Sequence, residues 1–168
     1  GALGLVEGAR ELSVQGAALK LNLRHIFHAT SSGGTQAGLV AGVNILGPEN
    51  TKVIGISVED PAQEAVQTVR TVLSGVSELL GLSREFAADE IEVDERFIGA
   101  GYAIPSEEGT TATKLLARLE GVVVHPVYTA KAMAGFLHWV ASESFAPEDD
   151  ILFWHTGGQL ALFKEVLP

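Results

Sequence analysis

Cysteine is absent from this sequence, which excludes disulfides, thiolate metal sites and a cysteine nucleophile. Positive charge is scarce as well. Eleven Lys and Arg stand against 21 Asp and Glu, a formal charge of −10, so no nucleic acid or anionic membrane is expected as a partner, because a phosphate polymer needs a basic stripe. No apolar run reaches membrane-spanning length and no basic-then-apolar leader opens the chain, which leads to the expectation of a soluble, cytoplasmic protein. No histidine–carboxylate spacing marks a metal site, and none is expected. The first position also lacks Met. The chain opens Gly1-Ala2-Leu3-Gly4-Leu5-Val6, with Leu5, Val6, Ala9 and Leu12 already at helical spacing. A domain that begins inside an element is expected to be a portion of something longer.

What is present is apolar: 46% of 168 residues, enough for one substantial core and one domain. Short apolar runs alternate with helix-patterned segments, the signature of an α/β fold with an open, mainly parallel sheet and helices on both faces. The runs predict strands over Ile26–Ala29, Val53–Val58, Glu92–Phe97, Gly121–Val124 and Ile151–Trp154. Helical stripes predict helices over 36–45, 61–80, 110–120 and 129–141. Asp60 is the expected cap of the second of these, with Pro61 in its first turn, Gln63 at capping-box spacing and Gly81 at its end. Thr129 is the expected cap of the last. The acidic stretch Leu82–Asp94 reads as a surface excursion.

Ser31-Ser32-Gly33-Gly34-Thr35 joins the first predicted strand to the first of these helices. A glycine-hydroxyl loop there lets backbone N–H groups and a helix dipole approach an anion such as phosphate; the same residues also serve as a plain turn. No Gly-Lys-Ser/Thr follows, so this is no Walker loop, and Thr35 occupies the position where a dinucleotide fingerprint requires glycine. Glu59 and Asp60 keep a ribose-binding acid open as an alternative. Ser31 and Ser32 lack the Gly-x-Ser-x-Gly context of a hydrolase nucleophile. Ligands of open parallel sheets lie beyond the carboxyl ends of the strands, and four polar clusters fall at that edge: Ser31–Thr35, Gly101–Ser106, His125–Thr129 and His155–Gly158. Tyr102 and Tyr128, the sole tyrosines, both lie among them. Each is flanked by turn formers, which favours hydroxyls aimed into a crevice over hydroxyls satisfied in the core.

Five linked motifs then carry a resemblance: Ser31–Gly38, Gly101–Pro105, Leu115–Gly121, Pro126–Met133 and Phe153–Gly158. In this order they resemble the carboxyl-terminal half of the D-cysteine desulfhydrase and 1-aminocyclopropane-1-carboxylate deaminase family. These are pyridoxal-phosphate enzymes of the tryptophan synthase β-like fold. The resemblance implies that residues 1–168 form the large-domain portion of a longer enzyme, a homodimer acting on a small amino acid. It implies that Ser32, Gly33, Gly34 and Thr35 hold the cofactor phosphate. Thr156 would lie beside the pyridine nitrogen with Thr129 nearby, and Tyr102 and Tyr128 would handle protons. Threonines at 129 and 156 resemble the desulfhydrase branch, which converts D-cysteine to pyruvate, ammonia and sulfide. The deaminase branch carries Glu and an apolar residue there, and a sulfo-lyase branch acting on cysteate shares the motifs. A neutral hydroxyl leaves the ring a weaker electron sink, which β-elimination tolerates because the electrons leave with the thiol.

The sequence departs from the family at Ser31, Ala103 and Ala130, which stand where glycine is usual, and at His125, which stands where aspartate is usual. By the resemblance the Schiff-base lysine and the small domain belong to a preceding segment. Lys20, Lys52, Lys114, Lys131 and Lys164 do not match its position, so this stretch alone is expected to be inactive. Lys131, within the Tyr-Thr-Ala-Lys motif, is expected to be structural.

Overall fold

Alternation along the strands decides which face each side chain meets. A computed structural model of the chain describes residues 1–48, 50–142 and 144–158. Within it four parallel strands run in the order β3-β2-β1-β4: β1 Leu23–Thr30, β2 Lys52–Ser57, β3 Glu92–Asp94 and β4 Asp150–Phe153. In-register neighbours share a face. Ile26, Val53 and Leu152 join one apolar cluster, and Phe27, Ile54 and Phe153 join the one on the opposite face. Helices α1 Ala2–Leu19, α2 Gly34–Leu46 and α3 Ala62–Leu80 supply residues to the first cluster. Helix α5, Thr129–Ala141, covers the second and packs with α4, Glu107–Glu120. The expected α/β sheet with helices on both faces is therefore the fold.

Glycines that weaken helical propensity within α2 have a packing use. A Cβ on Gly42 of α2 would lie 2.5 Å from Ala9 Cβ, so its absence lets α1 lie close against α2. Gly55, mid-strand in β2, does the same for a polar side chain. A Cβ there would fall 2.3 Å from Gln36 Oε1. Gln36 is completely buried and donates from Nε2 to the Glu92 carbonyl at 2.8 Å, so α2 is keyed across β2 to β3.

Several expected boundaries shift, each for a local reason. The Gly121–Val124 segment is not a strand. Gly121 closes α4 at φ 66, and the following residues pair with no strand among those described. Val124 is fully buried while Val122 is exposed, so one residue of the apolar run is buried without ladder pairing. The Glu92–Phe97 strand stops at Asp94, whose carboxylate accepts both the backbone N–H and the guanidinium of Arg96. Helix α4 begins three residues earlier than its stripe, because Ser106 Oγ accepts the Gly109 N–H at 3.0 Å. Asp60 does not cap α3. Pro61 takes that position without a side-chain bond, and the Ala62 N–H is met by Glu95 Oε2 at 2.5 Å from a distant loop. Tyr128, not Thr129, precedes α5 as its cap residue. The Leu82–Asp94 stretch is not wholly a surface excursion, since Phe86 and Ile91 are buried beside a 3₁₀ turn at Ala88–Glu90.

Two predictions follow from the buried polar groups on the α2 side of the sheet. Gly55→Ala should lower unfolding free energy by about 1–3 kcal/mol, since neither Gln36 nor the strand has room to retreat; a urea midpoint equal to that of the parent chain would contradict the keying. Burial pushes the His28 imidazole from 6.5 down to about 4, against the opposing effect of its Nδ1 bond to the Ala29 carbonyl. The unfolded chain therefore takes up a proton that the native state refuses. Stability is full above about pH 6.5 and falls as pH drops toward 4, by up to about 3 kcal/mol from this group. His28→Leu should remove that share of the acid sensitivity in urea titrations at pH 7 and pH 4.5.

Candidate functional site

The loop that follows β1 runs over the carboxyl edge of the sheet. Gly33, at φ 75, is the cap residue of α2, and a Cβ on it would lie 3.1 Å from the Val69 backbone of α3. Only glycine meets both demands. The first intrahelical bond runs from the Ala37 N–H to the Gly33 carbonyl, and no side chain caps the N–H groups before it. Those N–H groups and the helix dipole are thus directed to the edge. A cavity of about 280 Å³ opens there, lined by residues 29–35 with Val58, Tyr128 and Thr156. A Cβ on Gly34 would meet no atom within 4 Å. Thr30 Oγ1 is buried beneath this lining with no hydrogen-bond partner among the described residues. An anion the size of a phosphate fits this lining, which offers N–H donors at the start of α2 and the hydroxyls of Ser32 and Thr35.

The two tyrosines reach this edge from separate loops. Their phenolic oxygens lie 2.7 Å apart. Tyr128 lines the cavity, whereas Tyr102 is 56% exposed and touches the site through Tyr128. The hydrogen bond with Tyr102, together with desolvation, pushes the Tyr128 phenol up to about 12. Thr156 lines the cavity, but Thr129 does not. Thr129 is buried, and its Oγ1 accepts the His125 N–H at 2.6 Å. The described residues include no group of three or more His, Asp or Glu placed to hold a metal.

The departures at 125, 31 and 103 have local consequences. His125 Nδ1 accepts the Val127 and Tyr128 N–H groups at 3.1 and 3.2 Å, the role an Asx turn gives to a carboxylate oxygen. Its ring lies 4.7 Å from that of Tyr128, and a Cβ on Gly158 would fall 2.4 Å from His125 Cβ. The turn that orients Tyr128 is therefore packed against the segment that carries Thr156. Ser31 donates to the Glu59 carboxylate, so the acid weighed above for a ribose is engaged by the loop itself. Ala103 is held at φ 58, a left-handed conformation that costs an L-residue about 1 kcal/mol or more.

Of the lysines, Lys164 lies outside the described residues. Lys20 ends α1, Lys52 is exposed at the start of β2, and Lys114 is on α4. Lys131 is fully buried, with Nζ 3.2 Å from the Val58 carbonyl and 2.8 Å from that of Gly101. Thr30 and Lys131 thus join the edge although the motif reading gave them no site role, and Glu59 joins it as the partner of Ser31 rather than as a ribose acid; a hydroxyl and a lysine beside glycine-rich turns were the available signal. A separate cleft of about 310 Å³ lies against the end of α3, lined by Arg70, Arg84 and Phe86, away from this edge.

Comparison with known proteins accounts for the arrangement. Residues 1–157 match the family described as pyridoxal-phosphate dependent enzyme. The solved structure of an ACC deaminase homologue is similar at 28% identity and TM-score 0.82, over 98% of this chain and 48% of that one. A threonine deaminase from T.th. is similar at 20% identity and TM-score 0.59, over 93% of this chain and 57% of that one. The processed form of threonine deaminase isoform 2 from Solanum lycopersicum is similar at 15% identity and TM-score 0.52, over 96% and 48%. These last two bear on the fold alone, and this chain spans about half the length of the solved proteins it matches. With the profile covering nearly all of the described residues, the chain belongs to the pyridoxal-phosphate-dependent enzyme family.

Proposed function

We propose that these residues are the cofactor-binding portion of a lyase that eliminates the β-thiol of D-cysteine or a closely related amino acid. The pair of phenols 2.7 Å apart at the rim of a phosphate-sized cavity carries this reading. Ser32, Gly33, Gly34 and Thr35 bind the phosphate through backbone N–H groups and hydroxyls, helped by the α2 dipole. When bound, the cofactor supplies an electron sink for charge developing at the substrate α-carbon. Thr156 offers its hydroxyl to the ring nitrogen without adding charge. Thr129 supports the site indirectly, by fixing the turn at His125. With its phenol pushed up to about 12, Tyr128 holds its proton at neutral pH and donates to the departing sulfur, with Tyr102 fixing its orientation. Neutral threonines favour thiol elimination over opening of a cyclopropane ring, and similarity to an ACC deaminase homologue keeps that substrate as the second reading. In this reading the Schiff-base lysine is supplied from outside these residues, the full enzyme is a homodimer, and the stretch alone binds without turnover.

Binding and turnover are tested separately. Pyridoxal phosphate and inorganic phosphate should each raise the thermal midpoint of this chain. Gly34→Asp, favourable at a helix N-terminus but repulsive to an anion, should abolish that rise while leaving the fold intact. An undiminished rise in the variant would remove the loop from the phosphate site. A longer protein containing this stretch should turn over D-cysteine faster than L-cysteate or 1-aminocyclopropane-1-carboxylate. Tyr128→Phe should lower its kcat about 100-fold or more with little change in cofactor affinity; unchanged kcat would end the assigned role.

A further inference from the structure

A fully buried lysine without a carboxylate in contact is costly to fold. Lys131 is such a residue: none of the carboxylates among the described residues lies within ion-pair distance of it. What its Nζ does contact is two backbone carbonyls from different elements. One is Val58, immediately beyond β2, whose N–H already donates to the Thr30 carbonyl at 3.2 Å. The other is Gly101, at φ 124, the residue before Tyr102. Lys131 itself lies one helical turn after Tyr128. A single side chain thus joins the element that carries one tyrosine to the loop that carries the other, and anchors both to the end of the sheet.

We propose that Lys131 is a positioning residue for the tyrosine pair: by binding the Val58 and Gly101 carbonyls from α5, it holds the Tyr102 loop at hydrogen-bonding distance from Tyr128. The bridge needs two N–H donors, which an ammonium and a neutral amine both carry. Desolvation lowers the Lys131 pKa, with the Glu59 charge acting in the opposite sense. The bridge persists through that titration. The loop would otherwise have little to hold it, since Tyr102 is more than half exposed and Ala103 adopts an unfavourable φ. This inference rests on the reading of the two tyrosines as the proton-handling pair. It fails separately from that reading, because its test involves neither substrate nor cofactor.

Tyr102 and Tyr128 are the chain's only tyrosines, so ultraviolet titration of tyrosinate reports the pair directly. The groups facing Tyr128 are Tyr102, the His125 ring and the Glu59 charge. Lys131→Met substitutes none of them. In the parent chain Tyr128 stays mostly protonated at pH 11. Lys131→Met keeps the stem and removes the donors. It should release Tyr128 toward its ordinary value of 10.0 and add about 0.8 tyrosinate per chain at pH 11. A side chain that merely fills space would leave the count unchanged. An unchanged count, with circular dichroism showing a folded variant at that pH, overturns the proposal. If Lys131→Met does not fold, Lys131→Gln replaces it. Its shorter stem cannot span both carbonyls, so its count should also exceed that of the parent, and a parental curve overturns the proposal equally.

Discussion

The carboxyl end of β2 is held from every side, and the geometry of the candidate site depends on that restraint. Within the sheet, the Val58 N–H continues the parallel ladder to Thr30. On one face Gln36 lies across Gly55 and reaches the Glu92 carbonyl, keying α2 to β2 and β3. From α5 comes Lys131, which takes the Val58 carbonyl. Parallel strands leave backbone groups at their ends without ladder partners, and buried groups of that kind must be satisfied by side chains. Here two of the side chains that satisfy them, Gln36 and Lys131, come from α2 and α5, the helices that begin at the glycine-hydroxyl loop and after Tyr128.

The site is therefore an assembly of turns rather than a single motif. Position 33 takes glycine because α3 passes close to it. The Tyr128 turn is held by the His125 ring, where a carboxylate is usual, and Gly158 must lack a side chain to lie against that histidine. Ser31 and Glu59 form a hydrogen bond at the head of the anion loop. Substitutions that look like departures from a motif are thus absorbed by compensating contacts with the same geometric outcome. Ala103 keeps a left-handed φ where glycine would be unstrained.

The electrostatics of this edge are local. A chain of formal charge −10 still presents a lining of N–H donors and neutral hydroxyls to an anion, because helix α2 begins there and carries no acidic residue in its first turn. The acid that does lie close, Glu59, is engaged by Ser31. Net charge speaks to partners at long range. A binding site is decided by the dipoles within a few ångströms.

The sequence by itself determined the alternation of strands and helices, the parallel sheet and the glycine-hydroxyl loop, because apolar period and glycine placement report local conformation and burial. It also marked both tyrosines, since turn formers surround them. It misread Gly121–Val124, where a β-branched run carries no information about a strand partner and only Val124 is buried. Capping of α3 by Glu95, the consumption of the Thr129 hydroxyl by a backbone N–H, and the bridge made by Lys131 were settled only by tertiary structure. Each joins residues that are distant in the chain or set by a turn's geometry, and such contacts leave no periodic trace in the residues that make them.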